Sequence, residues 1–103
     1  VNLQVLVAMI DFGLDPQQAL EAPRWTSNQA GQGANWPHEG DGTLSIEEGL
    51  PEETLNALRA RGHDLRALPY LGGPCSVACI RVLENGTRMA GSDPRRDGWA
   101  GAY

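Results

Sequence analysis

Cys75-Ser76-Val77-Ala78-Cys79-Ile80-Arg81-Val82-Leu83, followed by Glu84-Asn85-Gly86 and Thr87-Arg88-Met89-Ala90, is the stretch on which the fold turns. It reads as a β-hairpin, Asn-Gly being favoured where both turn residues need positive φ. The first strand is apolar on both faces: Val77 and Cys79 point one way, Ile80 and Val82 the other, with Ala78 at the junction. A strand buried on both sides requires layers above and below it.

Directly after the hairpin comes Gly91-Ser92-Asp93-Pro94-Arg95-Arg96-Asp97-Gly98. Proline fixes φ and lacks a donor, so this segment neither extends a strand nor starts a long helix. Two readings of Asp93-Pro94-Arg95 stand side by side. One is a solvated, acid-capped turn; the other is an arginine fork holding a carboxylate, for which guanidinium geometry is suited.

Upstream, apolar residues at Leu3, Leu6, Val7 and Ile10, and again at Val5, Met9 and Phe12, predict a helix over 3–12 that is greasy all round and belongs inside a layered structure. Gly13 closes it in the left-handed conformation. Asp15-Pro16-Gln17-Gln18 supplies an N-cap, a first-turn proline and a capping-box glutamine for a short second helix running to Ala22, which Pro23 ends. Trp25 to Gly42 shows no clear period and reads as a long loop with a short strand near Arg24–Thr26. Thr43–Glu47 alternates as a strand with Leu44 and Ile46 inward. Pro51-Glu52-Glu53 opens a third helix with Leu55 and Leu58 on its inner face, and Arg59 and Arg61 at its negative end before Gly62. His63–Leu68 forms a further strand. Helices and strands with two greasy faces point to part of an α/β sandwich.

With 103 residues the chain is at most one small domain, burying roughly 60–65% of the surface its unfolded form exposes. It starts at Val1 with the apolar pattern at full strength from Leu3, which predicts a chain cut from a longer one. The longest apolar run, Val5–Ile10, falls far short of the roughly 20 residues of a membrane span, so no membrane partner is expected. The net charge is −5, there is no lysine, and the arginines form no stripe, which disfavours a nucleic-acid partner. Cys75 and Cys79, about 13 Å apart along a strand, are predicted to be free thiols.

Isolated motifs carry little chemistry. Asp11-Phe12-Gly13 matches the kinase metal-binding triplet but lacks the accompanying signatures, and reads as a helix end. His38 and His63 have no second ligand at metal-binding spacing, and no metal or cofactor is assigned. Cys75 and Ser76 sit beside apolar residues with no base placed near them. Asn85-Gly86-Thr87 fits a glycosylation acceptor, but the hairpin turn explains it. Gly72-Gly73 is either an anion nest or a tight turn beside Pro74, the turn being favoured.

The ordered blocks Ile10-Asp11-Phe12-Gly13, Asp15-Pro16-Gln17-Gln18-Ala19-Leu20-Glu21-Ala22-Pro23-Arg24, Leu44-Ser45-Ile46-Glu47-Glu48-Gly49 and Gly91–Gly98 resemble the C-terminal end of γ-glutamyltranspeptidases. The resemblance implies an N-terminal nucleophile hydrolase fold, an αββα sandwich with helices and a mainly antiparallel sheet, in a precursor that cleaves itself into large and small subunits. It makes residues 1–103 the C-terminal portion of the small subunit, whose partners are the rest of that subunit and the large subunit. It also implies a periplasmic or exported enzyme that hydrolyses or transfers the γ-glutamyl group of glutathione through an N-terminal threonine. That threonine, the residues binding the γ-glutamyl group and the oxyanion-hole glycines would all lie upstream of Val1, so no catalytic residue is carried over. Gly72-Gly73 matches a small-residue turn in the family, not its oxyanion pair. Asp93 and Arg95 are carried over as an ion pair beneath the active site that steadies catalytic loops. The same fold serves acylases that cleave β-lactam side chains, which is the alternative reading. A free-standing interaction module is another, and the isolated chain is expected to be inactive and to self-associate as a homo-oligomer.

Overall fold

A computed structural model describes residues 1–28 and 42–102. The elements are α1 (Asn2–Ile10), α2 (Pro16–Glu21), β1 (Trp25–Ser27), β2 (Leu44–Glu47), α3 (Glu52–Ala60), β3 (Leu65–Leu68), β4 (Ala78–Val82) and β5 (Arg88–Ser92). They divide into two compact units, Val1–Ala22 with Pro74–Tyr103 and, between these segments, Pro23–Gly73. Most of the loop expected between Trp25 and Gly42, including Trp36 and His38, lies outside the described residues.

In the first unit, Asp15 and Gln18 form the expected capping box: Gln18 N–H donates to Asp15 Oδ1 at 2.8 Å, and Asp15 N–H to Gln18 Oε1 at 3.1 Å. Pro16 occupies the first turn, and Ala22 leaves the helix with ψ 140° ahead of Pro23. Gly13, at φ +69°, turns the chain from α1 into α2. Val5, Ala19 and Leu20 make the core, with Ala8, Met9, Leu14, Val77 and Cys79 packed around them. Leu20 is fully buried, a burial that stabilises by about 1.5–3 kcal/mol. The apolar periphery of α1 is covered on the Val5 side, whereas Leu3, Leu6 and Ile10 are exposed.

β4 and β5 pair antiparallel, with Cys79 opposite Gly91 and Val82 opposite Arg88. A Cβ at Gly91 would stand 2.8 Å from Leu20 Cδ1 and 3.0 Å from the Pro16 carbonyl carbon, so glycine is what allows α2 to lie directly on β5. Gln17 reinforces this contact: its Nε2 donates to Ser92 O at 3.1 Å and its Oε1 accepts from Ser92 N–H at 3.2 Å.

The hairpin departs from expectation in three ways. Its first strand begins at Ala78: Cys75 adopts φ +71°, and the N–H of Val77 donates to Asp93 Oδ2. Its turn is a three-residue loop: Gly86 N–H donates to Leu83 O and Leu83 N–H to Thr87 O. Gly86 alone of the Asn-Gly pair has positive φ, at +84°, the type I turn with a glycine bulge, while Asn85 Oδ1 accepts the Thr87 N–H. Finally, Val77 and Cys79 pack on the core, but Ile80 and Val82 are exposed, so one face of the strand is covered within this unit.

In the second unit, β2 is the central strand, antiparallel to β1 and parallel to β3. The parallel pairing requires a crossover, which α3 provides. Glu52 and Glu53 lie in its first turn and Arg59 in its last, as expected. Leu55 and Leu58 are half-buried. The expected inward-outward alternation of β2 does not hold: Ile46 is buried, but so are Ser45 and Glu47. Because Ser45 and Glu47 are buried, their polar atoms need partners inside the protein.

Candidate functional site

The Asp93-Pro94-Arg95 segment is a buried fork, not a solvated turn. The side chains of Arg95 and Asp93 are 0% and 2% exposed, with Nη1 and Oδ1 3.1 Å apart. The backbone N–H of Arg95 donates to the same Oδ1 at 3.1 Å, and the N–H of Val77 donates to Oδ2 at 2.9 Å. The guanidinium then reaches the end of α2, Nη1 donating to Leu20 O at 2.6 Å and Nη2 to Ala22 O at 3.0 Å. These last carbonyls carry the negative end of the helix, where a cation is favoured.

A buried ion pair is tolerable only when its remaining donors and acceptors are satisfied, and this pair meets that condition through backbone groups. The result ties three points of the first unit together: the end of α2, the approach to β4 at Val77, and the turn after β5. Chemically the arrangement holds and orients. Both charges face each other and main-chain dipoles, so the pair fixes the backbone around it.

The other candidate residues are separate from this cluster. His63 is exposed at the end of α3, where its N–H donates to Leu58 O at 3.2 Å. Asp11 is exposed at the end of α1. Cys75 is exposed and Cys79 half-buried, both free thiols. Burial pushes the Cys79 thiol up from its ordinary value of 9.0, away from the ionised, nucleophilic form. Among the described residues, no cluster of His, Cys, Asp or Glu could hold a metal ion, and no helix is long and apolar enough to cross a membrane.

Gly72-Gly73 forms the tight turn, and the two N–H groups do not converge on one anion. Gly72 N–H closes a turn onto Pro69 O at 2.8 Å, while Gly73 N–H donates at 2.7 Å to a carboxylate of the chain itself, Glu47. Glu47 and Arg24 are buried polar residues that the sequence reading did not single out as functional. Glu47 lay within the Leu44–Gly49 motif block, but its pattern, a carboxylate on a strand next to Ile46, equally suits a solvent-facing position.

The Gamma-glutamyltranspeptidase family profile matches residues 1–103. This chain belongs to the γ-glutamyltranspeptidase family. It is 34% identical over 100 residues to the glutathione hydrolase-like YwrD proenzyme of Bacillus subtilis (strain 168), an alignment covering 93% of the chain and 17% of that relative. The chain thus spans under a fifth of that relative's length. Among solved structures, cephalosporin acylase from Bacillus halodurans superposes with a TM-score of 0.71 at 33% identity, over 98% of this chain and 18% of the acylase chain. A γ-glutamyltranspeptidase from Pseudomonas nitroreducens complexed with L-DON superposes with a TM-score of 0.69 at 24% identity, over 99% of this chain and 48% of that one. The fold is therefore part of the N-terminal nucleophile hydrolase architecture, with helices and mainly antiparallel strands, and the relatives that share it include hydrolases made as proenzymes.

Proposed function

We propose that residues 1–103 are the C-terminal portion of the small subunit of a γ-glutamyltranspeptidase-like enzyme, and that the parent hydrolyses or transfers the γ-glutamyl group of glutathione and related amides. The observation that carries this reading is the family match along the whole chain, with the Asp93–Arg95 fork formed by residues of its motif blocks. In this reading the threonine nucleophile belongs to another part of the parent. The fork supports the active site from below by fixing the end of α2 and the approach to β4. No cofactor takes part.

The rest of the small subunit and the large subunit are the natural cover for Leu3, Leu6 and Ile10 on α1 and for Ile80 and Val82 on β4, all exposed here. The isolated chain is accordingly inactive and self-associates through these faces. A monomeric mass by light scattering at high concentration refutes the self-association, and release of chromophore from a γ-glutamyl anilide by the purified chain refutes the inactivity.

An acylase parent is the second reading, favoured by the likeness to the Bacillus halodurans cephalosporin acylase. The full-length precursor, offered a γ-glutamyl anilide and a β-lactam side-chain amide in parallel, decides between them: preferential turnover of the anilide supports the proposal, and turnover of the β-lactam amide alone overturns it. In the same precursor, Arg95→Ala lowers kcat at least tenfold, and Arg95→Lys restores part of the loss. Unchanged kcat in Arg95→Ala removes the supporting role assigned to the fork.

A further inference from the structure

Glu47 closes β2 and is 1% exposed. Its carboxylate reaches both ends of the Pro23–Gly73 unit: Oε2 accepts from Arg24 N–H at 3.0 Å, and Oε1 from Gly73 N–H at 2.7 Å. The grip on Arg24 is double, because the backbone N–H of Glu47 donates to Arg24 O at 2.9 Å. The seat at Gly73 is shaped for the carboxylate, since a Cβ there would stand 2.5 Å from Oε1. The strand carrying Glu47 is also the one that pairs with both β1 and β3. One side chain thus joins the first and last backbone of the unit to the centre of its sheet.

We propose that Glu47 is a clasp whose release opens residues 23–73 as one cooperative segment, while α2, β4 and β5 stay closed. The physical reason is twofold. Hydrogen bonds from backbone N–H groups to an ionised acceptor are the strong class, and burying those donors without an acceptor is unfavourable. Holding the two ends of the segment together limits the conformational freedom that its opening would regain. Once the carboxylate lets go, Arg24 at the entry to β1 and Gly73 beyond the turn that follows β3 lose their shared acceptor, and the central strand no longer ties the two ends of the segment together.

Residue-resolved native-state hydrogen exchange on the full chain tests this, comparing the unsubstituted protein with Glu47→Gln and Gly73→Ala. The glutamine keeps the volume but turns an N–H₂ toward a backbone N–H; the alanine pushes a methyl group onto Oε1. Both variants are expected to speed exchange at Arg24, at Gly73 and across β1, β2 and β3 together, by about tenfold or more, with rates in α2, β4 and β5 unchanged. A rise confined to Arg24 and Gly73 makes the contact local and overturns the clasp. So does a rise of the same size in α2, β4 and β5, unchanged rates in both variants, or a lack of protection at the two amides in the unsubstituted chain.

Discussion

Arg95–Asp93 and Arg59–Glu52 are ion pairs of nearly equal length, 3.1 and 3.0 Å, in different units of the molecule. Their surroundings are opposite. The first pair is 0% and 2% exposed, and backbone groups complete its hydrogen bonding. The second lies on the surface of α3 at 50% and 71% exposure, with Asn56 as a further acceptor for Arg59 at 2.9 Å. Distance alone would rank them alike. Solvent decides otherwise: water screens the exposed pair and replaces it readily, whereas the buried pair has no substitute for a missing partner.

The largest effect is therefore expected from Arg95→Ala. It leaves Asp93 buried without its counter-charge and strips donors from the end of α2, at a cost of about 3–5 kcal/mol in urea unfolding; a loss below 1 kcal/mol on the scale of a surface pair would erase the contrast. Gly91→Ala comes next, because the new methyl meets the backbone of α2, with 1–3 kcal/mol as the rough scale for overpacking. Asp15→Ala removes the α2 cap, an expected loss of about 1 kcal/mol by the same measurement. Arg59→Ala closes the order at about 0.5 kcal/mol or less. Added salt sharpens the comparison, since it should abolish the Arg59 effect and leave the Arg95 effect standing.

Chemical labelling gives a probe that needs no unfolding. Iodoacetamide should modify exposed Cys75 well before Cys79, whose thiol is pushed up by burial. Because the folded state holds the Cys79 proton longer than the unfolded chain does, the sign of the linkage is a loss of stability as pH rises above 9.0. Equal labelling of the two thiols would contradict the packing of Cys79 against the core.

The features that the sequence made legible are local ones. The Asp15–Gln18 box, the left-handed Gly13 and the Asp93-Pro94-Arg95 turn each involve residues within a few positions, so residue type and spacing suffice. The fork itself was half legible: the motif announced an arginine and a carboxylate, but the carbonyls of Leu20 and Ala22 lie more than seventy residues upstream. Glu47 was illegible for a deeper reason. Its partners are main-chain N–H groups, which every residue but proline possesses, so neither Arg24 nor Gly73 advertises the contact by its side chain. In the same way, the apolar pattern of residues 77–82 correctly turned Val77 and Cys79 toward the core, yet Ile80 and Val82 have the same character and are exposed.

The hold of Arg95 on α2 has a consequence for the order in which the chain can be built. A helix of six residues is too short to persist on its own, and the guanidinium that secures its last carbonyls is made long after it. On the ribosome, residues 23–73 emerge with their sheet partners and their carboxylate clasp already in hand, whereas α2 must wait for the strands and the arginine that follow. The first unit to be started is thus the last to be finished, and translation halted before residue 95 would release a chain in which the later-begun unit is whole and the earlier one is not.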